Sequence, residues 1–272
     1  MIRRAKPLLG TVATIQVDGA ADDLKIEAAV AAAFAVMARV SAVMSAHDAH
    51  SDVGRMGRAS CGQKLTLDPH TVVVLRAAQY WQRKSAGAFN PVRAARALVR
   101  KGVRPGLPAQ DPAGAGLDAV DIVSETQVKM QAPVPIDLGG IAKGYAVDRA
   151  IEVLVAHGVT HAIVNAGGDM RAIGQRGFAV DVRHAAIHVR ERSVSAVRRL
   201  QQAALATSVA DIRQTDFVQT AQTRGAGWRS ATVLAPDCMS ADALTKWALQ
   251  ASLLCPELKA VMREHHARMW RS

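Results

Sequence analysis

The alternation of hydrophobic and polar residues along the chain predicts both strands and helices. In the segment 9–17, Thr11, Thr14 and Gln16 alternate with Val12, Ile15 and Val17, an alternation that is typical of a strand. Other short apolar segments bounded by turn-forming residues predict further strands. These segments are 119–123, 127–130, 161–168 (which ends in a glycine turn), 178–183, 204–208 and 231–235.

Longer segments with apolar residues at helical spacing predict helices. They cover residues 22–44, 69–84, 143–157 and 240–254. The apolar residues of the first segment are too dense to define one face, so we expect this helix to be largely buried. Because strands and helices mix without a regular βαβ alternation, the sequence predicts the α+β class, with mixed β-sheets and packed helices.

The length and the loop composition favour one domain. At 272 residues the chain can bury a sizeable core, and we predict a single domain over 1–272, built as two intimately packed lobes. The Pro/Gly-rich segment 101–116 predicts a surface loop, and 256–272 is a basic C-terminal segment.

The composition is that of a globular protein with a basic surface. Apolar residues make up 50% of the chain, and 34 basic against 23 acidic residues give a net charge of +11. The densest basic segment, 184–199, contains no nucleic-acid motif, so we expect no nucleic-acid partner. A solvated basic face of this kind favours a dianionic ligand or an acidic partner protein. Cys61, Cys238 and Cys255 have no metal-ligand spacing.

The sequence does not predict a membrane span. The longest apolar run, Ala28 to Ala38, is too short for one and ends at Arg39. Basic residues precede the segment 9–17, as in a signal peptide, but the strand-like alternation there indicates part of the fold. We therefore expect a cytoplasmic protein.

A glycine-rich segment at 136–151 carries the strongest chemical signal. Its sequence is IDLGGIAKGYAVDRAI, in which Asp137 precedes two glycines and Lys143 lies where a helix begins. Glycines allow close backbone approach, and a helix N-terminus together with an ammonium favours a phosphate-bearing ligand. The spacing fits neither a Walker A loop nor a dinucleotide fingerprint. A plain strand-to-helix turn is the alternative.

Two motifs together resemble one family. DLGGIAKGYAVDRA, followed by NAGGDMRAIG at Asn165 to Gly174, resembles the signature pair of the ApbE-type FAD:protein FMN transferases. Further matching segments follow in family order: LLGTVATIQV (8–17), MSAHDAHSDVGRM (44–56), GAFNPV (87–92), ALATS (204–208) and VLAPDCMSADALT (233–245). The chain is identified as a divergent member with an ApbE-like fold.

The resemblance implies an activity and its partners. Enzymes of this family depend on magnesium, split FAD, and attach FMN through a phosphoester to a Ser or Thr of an acceptor flavoprotein. FAD is then the substrate, and an acceptor flavoprotein is the partner. Many relatives are exported, which makes export the alternative to a cytoplasmic location.

The resemblance also assigns roles to residues. It places the metal on the Gly140 carbonyl, Asp242 and the closing-motif threonine, here Thr245, and catalytic roles on Asp169 and Asp242. Flavin contacts fall on Leu9, His47, Ala88, Phe89, Asn90, Asp137 and Lys143. Asp242 as a helix cap and Asp169 as a turn residue are the alternatives.

Several positions depart from the family pattern. The family threonine lies four residues after the metal aspartate, where this chain has Lys246, and a shift of one residue turns Thr245 by about 100° around the helix. We expect Lys246 to approach the Asp242 carboxylate and to reduce dependence on metal, the alternative being that it reaches solvent beside Trp247. Mg²⁺ binding is then expected to be weak or FAD-dependent.

Other departures affect the chemistry and the flavin contacts. The family histidine has no counterpart between Ser208 and Ala231. His47 replaces a tyrosine, Asn90 an aspartate, and Val209 a glycine. Two functions remain open: an FMN transferase with weakened activity, or a non-catalytic FAD-binding paralogue that acts in flavoprotein assembly or sensing.

Overall fold

A computed structural model describes residues 1–18, 23–100, 116–183, 194–209 and 228–271. Most of the predicted surface loop 101–116 and of the basic segment 184–199 lies outside these residues. The segment that lacks the family histidine lies outside them as well, apart from residues 209 and 228–230. The chain divides into two compact units, unit 1 (Met1–Ala38 and Lys143–Ser272) and unit 2 (Arg39–Ala142).

The described residues form helices and strands of the predicted α+β class. The helices are α1 (Asp23–Val43), α2 (Asp52–Met56), α3 (Pro69–Lys84), α4 (Pro91–Arg100), α5 (Ala142–Ala156), α6 (Cys238–Gln250) and α7 (Pro256–Glu264). The strands are β1 (Ile2–Leu8), β2 (Thr11–Val17), β3 (Lys64–Thr66), β4 (Val120–Ile122), β5 (Gln127–Met130), β6 (Ala162–Ala166), β7 (Asp169–Ile173), β8 (Phe178–Arg183), β9 (Val194–Leu200), β10 (Ala203–Val209), β11 (Ser230–Ala235) and β12 (Arg268–Arg271).

Unit 1 is built on a seven-stranded sheet in the order β1-β2-β6-β7-β10-β11-β12, with antiparallel neighbours. β8 and β9 form a separate hairpin. Helix α6 packs against β10 and β11. Within β2, Ala13, Ile15 and Val17 are buried, so the predicted alternation is confirmed over residues 13–17. Val12, which the prediction grouped with Ile15 and Val17, lies on the opposite face of the strand and is exposed.

The predicted strand 9–17 is wrong at its start. Leu9 and Gly10 form the turn of a β1–β2 hairpin, with φ values of +58° and +70°. Leu9 is therefore a leucine in the left-handed region, which costs about 1–2 kcal/mol. The basic residues of β1 lie on an edge strand, where charged side chains discourage pairing with another chain.

Helix α1 is buried on one stripe only, so the prediction of a largely buried helix is wrong. Ala29, Ala33, Met37 and Val40 are buried at helical spacing, whereas Leu24 on the opposite side is exposed. Alanine is tolerated on both the buried and the exposed side of the helix. The dense apolar residues of α1 therefore do not reveal its buried face in the sequence pattern. By length and composition α1 could also cross a membrane. With 44% of its most apolar window buried inside the protein, that is a weak indication.

Unit 2 contains a three-stranded antiparallel sheet in the order β3-β5-β4 together with α2, α3 and α4. Its core includes Met56, Leu75 and Met130, which have no exposed surface. The predicted start of α3 is confirmed, because the Asp68 side chain accepts the His70 N–H at 2.8 Å and Pro69 follows.

The C-terminal region contains more structure than the sequence predicts. Helix α6 begins before the predicted residue 240 because Asp237 caps it, accepting the Ser240 N–H at 2.7 Å. The basic C-terminal segment forms α7 and β12. The interpretation of Asp242 as a helix cap is wrong, since Asp242 lies inside α6.

Helices α5 and α6 approach each other at a glycine. A Cβ built on Gly144 would lie 2.3 Å from the Cys238 carbonyl oxygen and 2.7 Å from its carbonyl carbon, both backbone atoms that cannot rotate away. The glycine therefore sets how closely the start of α6 packs on the first turn of α5.

We expect Gly144→Ala to lower the free energy of unfolding by about 1–3 kcal/mol, because backbone must move to admit the methyl group. Urea denaturation followed by circular dichroism measures this. Gly158→Ala is the matched control: with φ +82° and open space around it, it should cost only the left-handed strain of about 1 kcal/mol. An equal or smaller loss in Gly144→Ala would contradict the tight contact.

Candidate active site of unit 1

Four charged side chains of unit 1 meet in one cluster, in which the two carboxylates are buried. Lys143 comes from α5, Asp169 from β7, and Asp242 and Lys246 from α6. The Lys143 ammonium donates to Asp169 Oδ2 and lies 3.6 Å from Asp242 Oδ2, and Lys246 Nζ lies 2.9 Å from Asp242 Oδ1. The Asp169 and Asp242 side chains are 2% and 0% exposed. We call these residues the Asp–Lys cluster.

A glycine hairpin places Asp169 in the cluster. Gly167 and Gly168 connect β6 to β7 with φ values of +67° and +106°, which an L-residue with a side chain rarely adopts. The Gly168 N–H donates a hydrogen bond to Asn165 Oδ1 at 2.9 Å. Asp169 is the first residue of β7 and pairs with Ala166. The interpretation of Asp169 as a turn residue is therefore wrong.

The predicted approach of Lys246 to Asp242 is confirmed, and the alternative that Lys246 reaches solvent is wrong. Its ammonium donates to Asp242 Oδ1, to Thr245 Oγ1 at 3.2 Å, and to Ser208 Oγ. An ammonium has three N–H donors, and all are used. Thr245 Oγ1 and Ser208 Oγ share a hydrogen bond of 2.7 Å, so Thr245 contacts the Asp–Lys cluster despite the one-residue shift.

Ser208 contacts the Asp–Lys cluster, and sequence reasoning did not single it out. It lies near the end of β10 and reaches Lys246 and Thr245 on α6. Its position in the ALATS segment was visible, but only the packing of β10 against α6 gives it this partner.

The electrostatics of the cluster separate its two carboxylates. Burial and the nearby Asp242 charge raise the pKa of Asp169 to about 6, against the attraction of Lys143. Burial also opposes ionisation of Asp242, but the ammoniums of Lys143 and Lys246 hold its pKa below its usual value. Although burial disfavours the ammonium, Asp242 and Asp169 raise the pKa of Lys143. At neutral pH Asp169 and Asp242 are therefore mainly ionised and Lys143 is charged, and Lys246 forms an ion pair with Asp242.

A second buried aspartate positions α6. Asp148 of α5 is 3% exposed, and its carboxylate accepts the N–H groups of Cys238 and Met239 at 2.9 and 2.8 Å. Arg171 lies 2.8 Å away and balances its charge. Burial raises the pKa of Asp148. An acid among the apolar residues of the predicted helix 143–157 was the signal that could have identified it.

Mg²⁺, which the family resemblance implies, does not fit this cluster while Lys246 occupies it. The two predicted metal ligands of unit 1, Asp242 and Thr245, both accept hydrogen bonds from the same ammonium. Among the described residues there is no group of three or more His, Cys, Asp or Glu side chains that could hold a metal ion. The third predicted ligand, Gly140, belongs to unit 2.

The predicted flavin contacts of unit 2 include a helix cap. Asn90 Oδ1 accepts the N–H groups of Val92 and Arg93 at 3.1 and 3.0 Å, which caps the start of α4. Ala88 and Phe89 are buried, and the Phe89 N–H donates a hydrogen bond to Ser85 Oγ at 2.9 Å. A capping role explains why asparagine can replace the family aspartate, since both side chains cap well.

Asp137 and His47 occupy different environments in unit 2. Asp137 Oδ1 accepts the Gly139 N–H at 2.8 Å and so forms the turn before Gly140. His47 is exposed and follows α1. Leu9, by contrast, belongs to the hairpin turn of unit 1. Their contacts with a flavin remain predictions.

Comparison with known proteins identifies the family. The ApbE family model matches residues 9–264, and the chain belongs to the ApbE family. A curated relative, the FAD:protein FMN transferase of Treponema pallidum (strain Nichols), is 28% identical over 197 residues. That match covers 67% of this chain and 54% of the relative, so the chain spans about half the length of that protein.

Solved structures of the family share the fold. The ApbE protein from Thermotoga maritima MSB8 has a TM-score of 0.79 and 24% identity, with 99% of this chain and 93% of that chain covered. The flavin transferase ApbE from Vibrio cholerae has a TM-score of 0.77 and 21% identity, with 99% and 92% covered. The predicted ApbE-like fold is thus confirmed.

We expect Asp148→Asn to lower the free energy of unfolding by about 1–3 kcal/mol, because an amide oxygen cannot serve both N–H groups and Arg171 as a carboxylate does. Chemical denaturation measures the loss. Asp237→Asn is the matched control, since asparagine is an equally good N-cap. A similar loss in both variants would contradict a special role for Asp148.

The raised pKa of Asp169 predicts a pH-dependent stability. The Asp169 carboxyl binds its proton more tightly in the folded protein than in the unfolded chain. Its contribution to the free energy of unfolding is therefore present below about pH 4 and is lost as the pH rises through about 6. Between about pH 4 and about pH 6, the free energy of unfolding of the wild-type protein should fall by about 1–3 kcal/mol relative to that of Asp169→Asn. Urea denaturation at each pH tests this, with exposed Asp181→Asn as the control. Parallel profiles would contradict the assignment.

Proposed function

We propose that this protein is an FAD:protein FMN transferase, which splits FAD and attaches FMN through a phosphoester to a Ser or Thr of an acceptor flavoprotein. The observation that carries the proposal is the Asp–Lys cluster. Lys143 and Asp169 come from the two signature segments, and Asp242 from the closing segment. Membership of the ApbE family over residues 9–264 supports it.

Lys143 is the proposed phosphate ligand of FAD. Its side chain is 28% exposed, while both of its carboxylate partners are buried. Among the hydrogen bonds of the described residues, its ammonium makes one, to Asp169, and so keeps N–H donors for phosphate oxygens. The two carboxylates keep it charged, and the net charge of +11 favours an anionic substrate.

Asp169 is the proposed base for the transfer. The acceptor hydroxyl oxygen forms a bond to the phosphorus of the FMN half, the bond from that phosphorus to the bridging oxygen breaks, and AMP leaves. The hydroxyl proton passes to Asp169, whose pKa of about 6 lies near the operating pH that a general base requires. Asp242 remains ionised and orients the two ammoniums.

Two further features complete the proposal. Mg²⁺ would be bound weakly by the free protein or only together with FAD, whose phosphate oxygens add ligands and negative charge. When bound, Mg²⁺ would stabilise charge on phosphoryl oxygens.

We place the protein in the cytoplasm, with export as the alternative.

The direct test is covalent transfer. The protein is incubated with FAD, Mg²⁺ and a family acceptor domain, and flavin fluorescence is read in a denaturing gel. A fluorescent acceptor band is expected, and it should be absent when the acceptor Ser or Thr is replaced by Ala. FAD binding without any band would favour the non-catalytic paralogue, which the missing histidine also favours. Absence of FAD binding would contradict both functions.

Lys143→Ala should weaken FAD binding by about 1–3 kcal/mol, the range for hydrogen bonds to charged groups. Calorimetric titration measures this change. Lys143→Arg, which retains the charge, should lose less, and Lys259→Ala on the exposed surface of α7 should lose nothing. Unchanged affinity in Lys143→Ala would remove this lysine from the FAD site.

A further inference from the structure

The Lys246 ammonium lies in an oxygen cage of the kind that usually surrounds a bound cation. Its three acceptors are Asp242 Oδ1 at 2.9 Å, Thr245 Oγ1 at 3.2 Å and Ser208 Oγ. They come from two elements, α6 and β10, so the cage depends on tertiary packing as well as on helical spacing. No N–H of this ammonium is left for a substrate.

The two lysines of the cluster are therefore in different situations. Lys143 is held by one hydrogen bond among the described residues and has donors to spare, whereas Lys246 uses all of its donors on the protein. Asp242 has no exposed surface and contacts both ammoniums. A buried carboxylate needs compensating charge, and Lys246 supplies part of it permanently.

A divalent ion would meet two obstacles here. It would have to displace the ammonium from Asp242 and Thr245, or else lie close to its positive charge. The cluster is already neutral, with Asp169 and Asp242 balanced by Lys143 and Lys246, so little attraction remains for a further cation. Mg²⁺ also gives up its waters reluctantly.

We infer that Lys246 is the resident cation of this site, and that FAD binding by this chain needs no divalent metal. The inference rests on the proposed function, since it names how that site is neutralised before FAD arrives. Lys246 acts as a positioning residue: it holds Asp242 and Thr245, and Asp242 in turn holds Lys143 toward the phosphates.

The test measures FAD affinity with and without metal. Wild-type protein is titrated with FAD in EDTA and in Mg²⁺, and the two dissociation constants should agree within about twofold. In Lys246→Ala the cage loses its cation, so affinity in EDTA should fall about tenfold or more, and Mg²⁺ should restore most of it. Lys259→Ala is the control and should match wild type in both buffers.

A second readout follows the metal itself. Mn²⁺ added to the protein without FAD is followed by electron paramagnetic resonance, which separates bound from free ion. Wild type should bind none up to about millimolar Mn²⁺, and Lys246→Ala should bind it. Lys246→Met keeps the length of the stem without the charge, and circular dichroism checks that both variants fold.

The possible failures are distinguishable. If no FAD binds to wild type in either buffer, the proposed function fails. If FAD binds to wild type but Mg²⁺ strengthens it about tenfold, only the inference on Lys246 fails. Equal losses for Lys246→Ala with and without Mg²⁺, or Mn²⁺ binding by wild type as tight as by the variant, would likewise overturn it.

Discussion

The structure of unit 1 depends on neutralising one fully buried carboxylate, that of Asp242. A carboxylate without solvent is stable only with compensating charge and hydrogen bonds, and here Lys143, Lys246 and the Gly144 N–H provide them. The backbone must hold each of these three groups within reach of the Asp242 carboxylate. The glycine contact between α5 and α6 and the Asp148 anchor bring these groups to Asp242, while the Gly167–Gly168 hairpin places Asp169, the second partner of Lys143.

The same requirement links structure to the proposed chemistry. Because Asp242 and Asp169 lie near each other, their charges cannot be equivalent: Asp242 is held ionised, whereas the pKa of Asp169 rises to about 6. Two carboxylates in one site thereby acquire separate tasks, one to orient ammoniums and one to accept a proton. The exposed part of Lys143 is where a phosphate can enter this arrangement.

Sequence reasoning predicts the parts of this site that depend on local spacing. Lys246 is four residues beyond Asp242, so their contact follows from helical geometry. Ser208 acts across β10 and α6, and Asp148 acts across α5 and α6. The packing that brings each pair of elements together cannot be deduced from either segment alone. The α+β class was predictable from the order of elements. The edge strand β1 was not, because its charged residues resemble a solvated terminus.

The central claim is that phosphate meets Lys143 while Lys246 stays on Asp242. A crystal structure of the FAD complex grown in Mg²⁺ tests it most directly. The account predicts a phosphate oxygen within hydrogen-bonding distance of Lys143 Nζ, with the Lys246 ammonium still bonded to Asp242 and Thr245. A Mg²⁺ ion coordinated by Asp242 and Thr245, with Lys246 turned away, would contradict it.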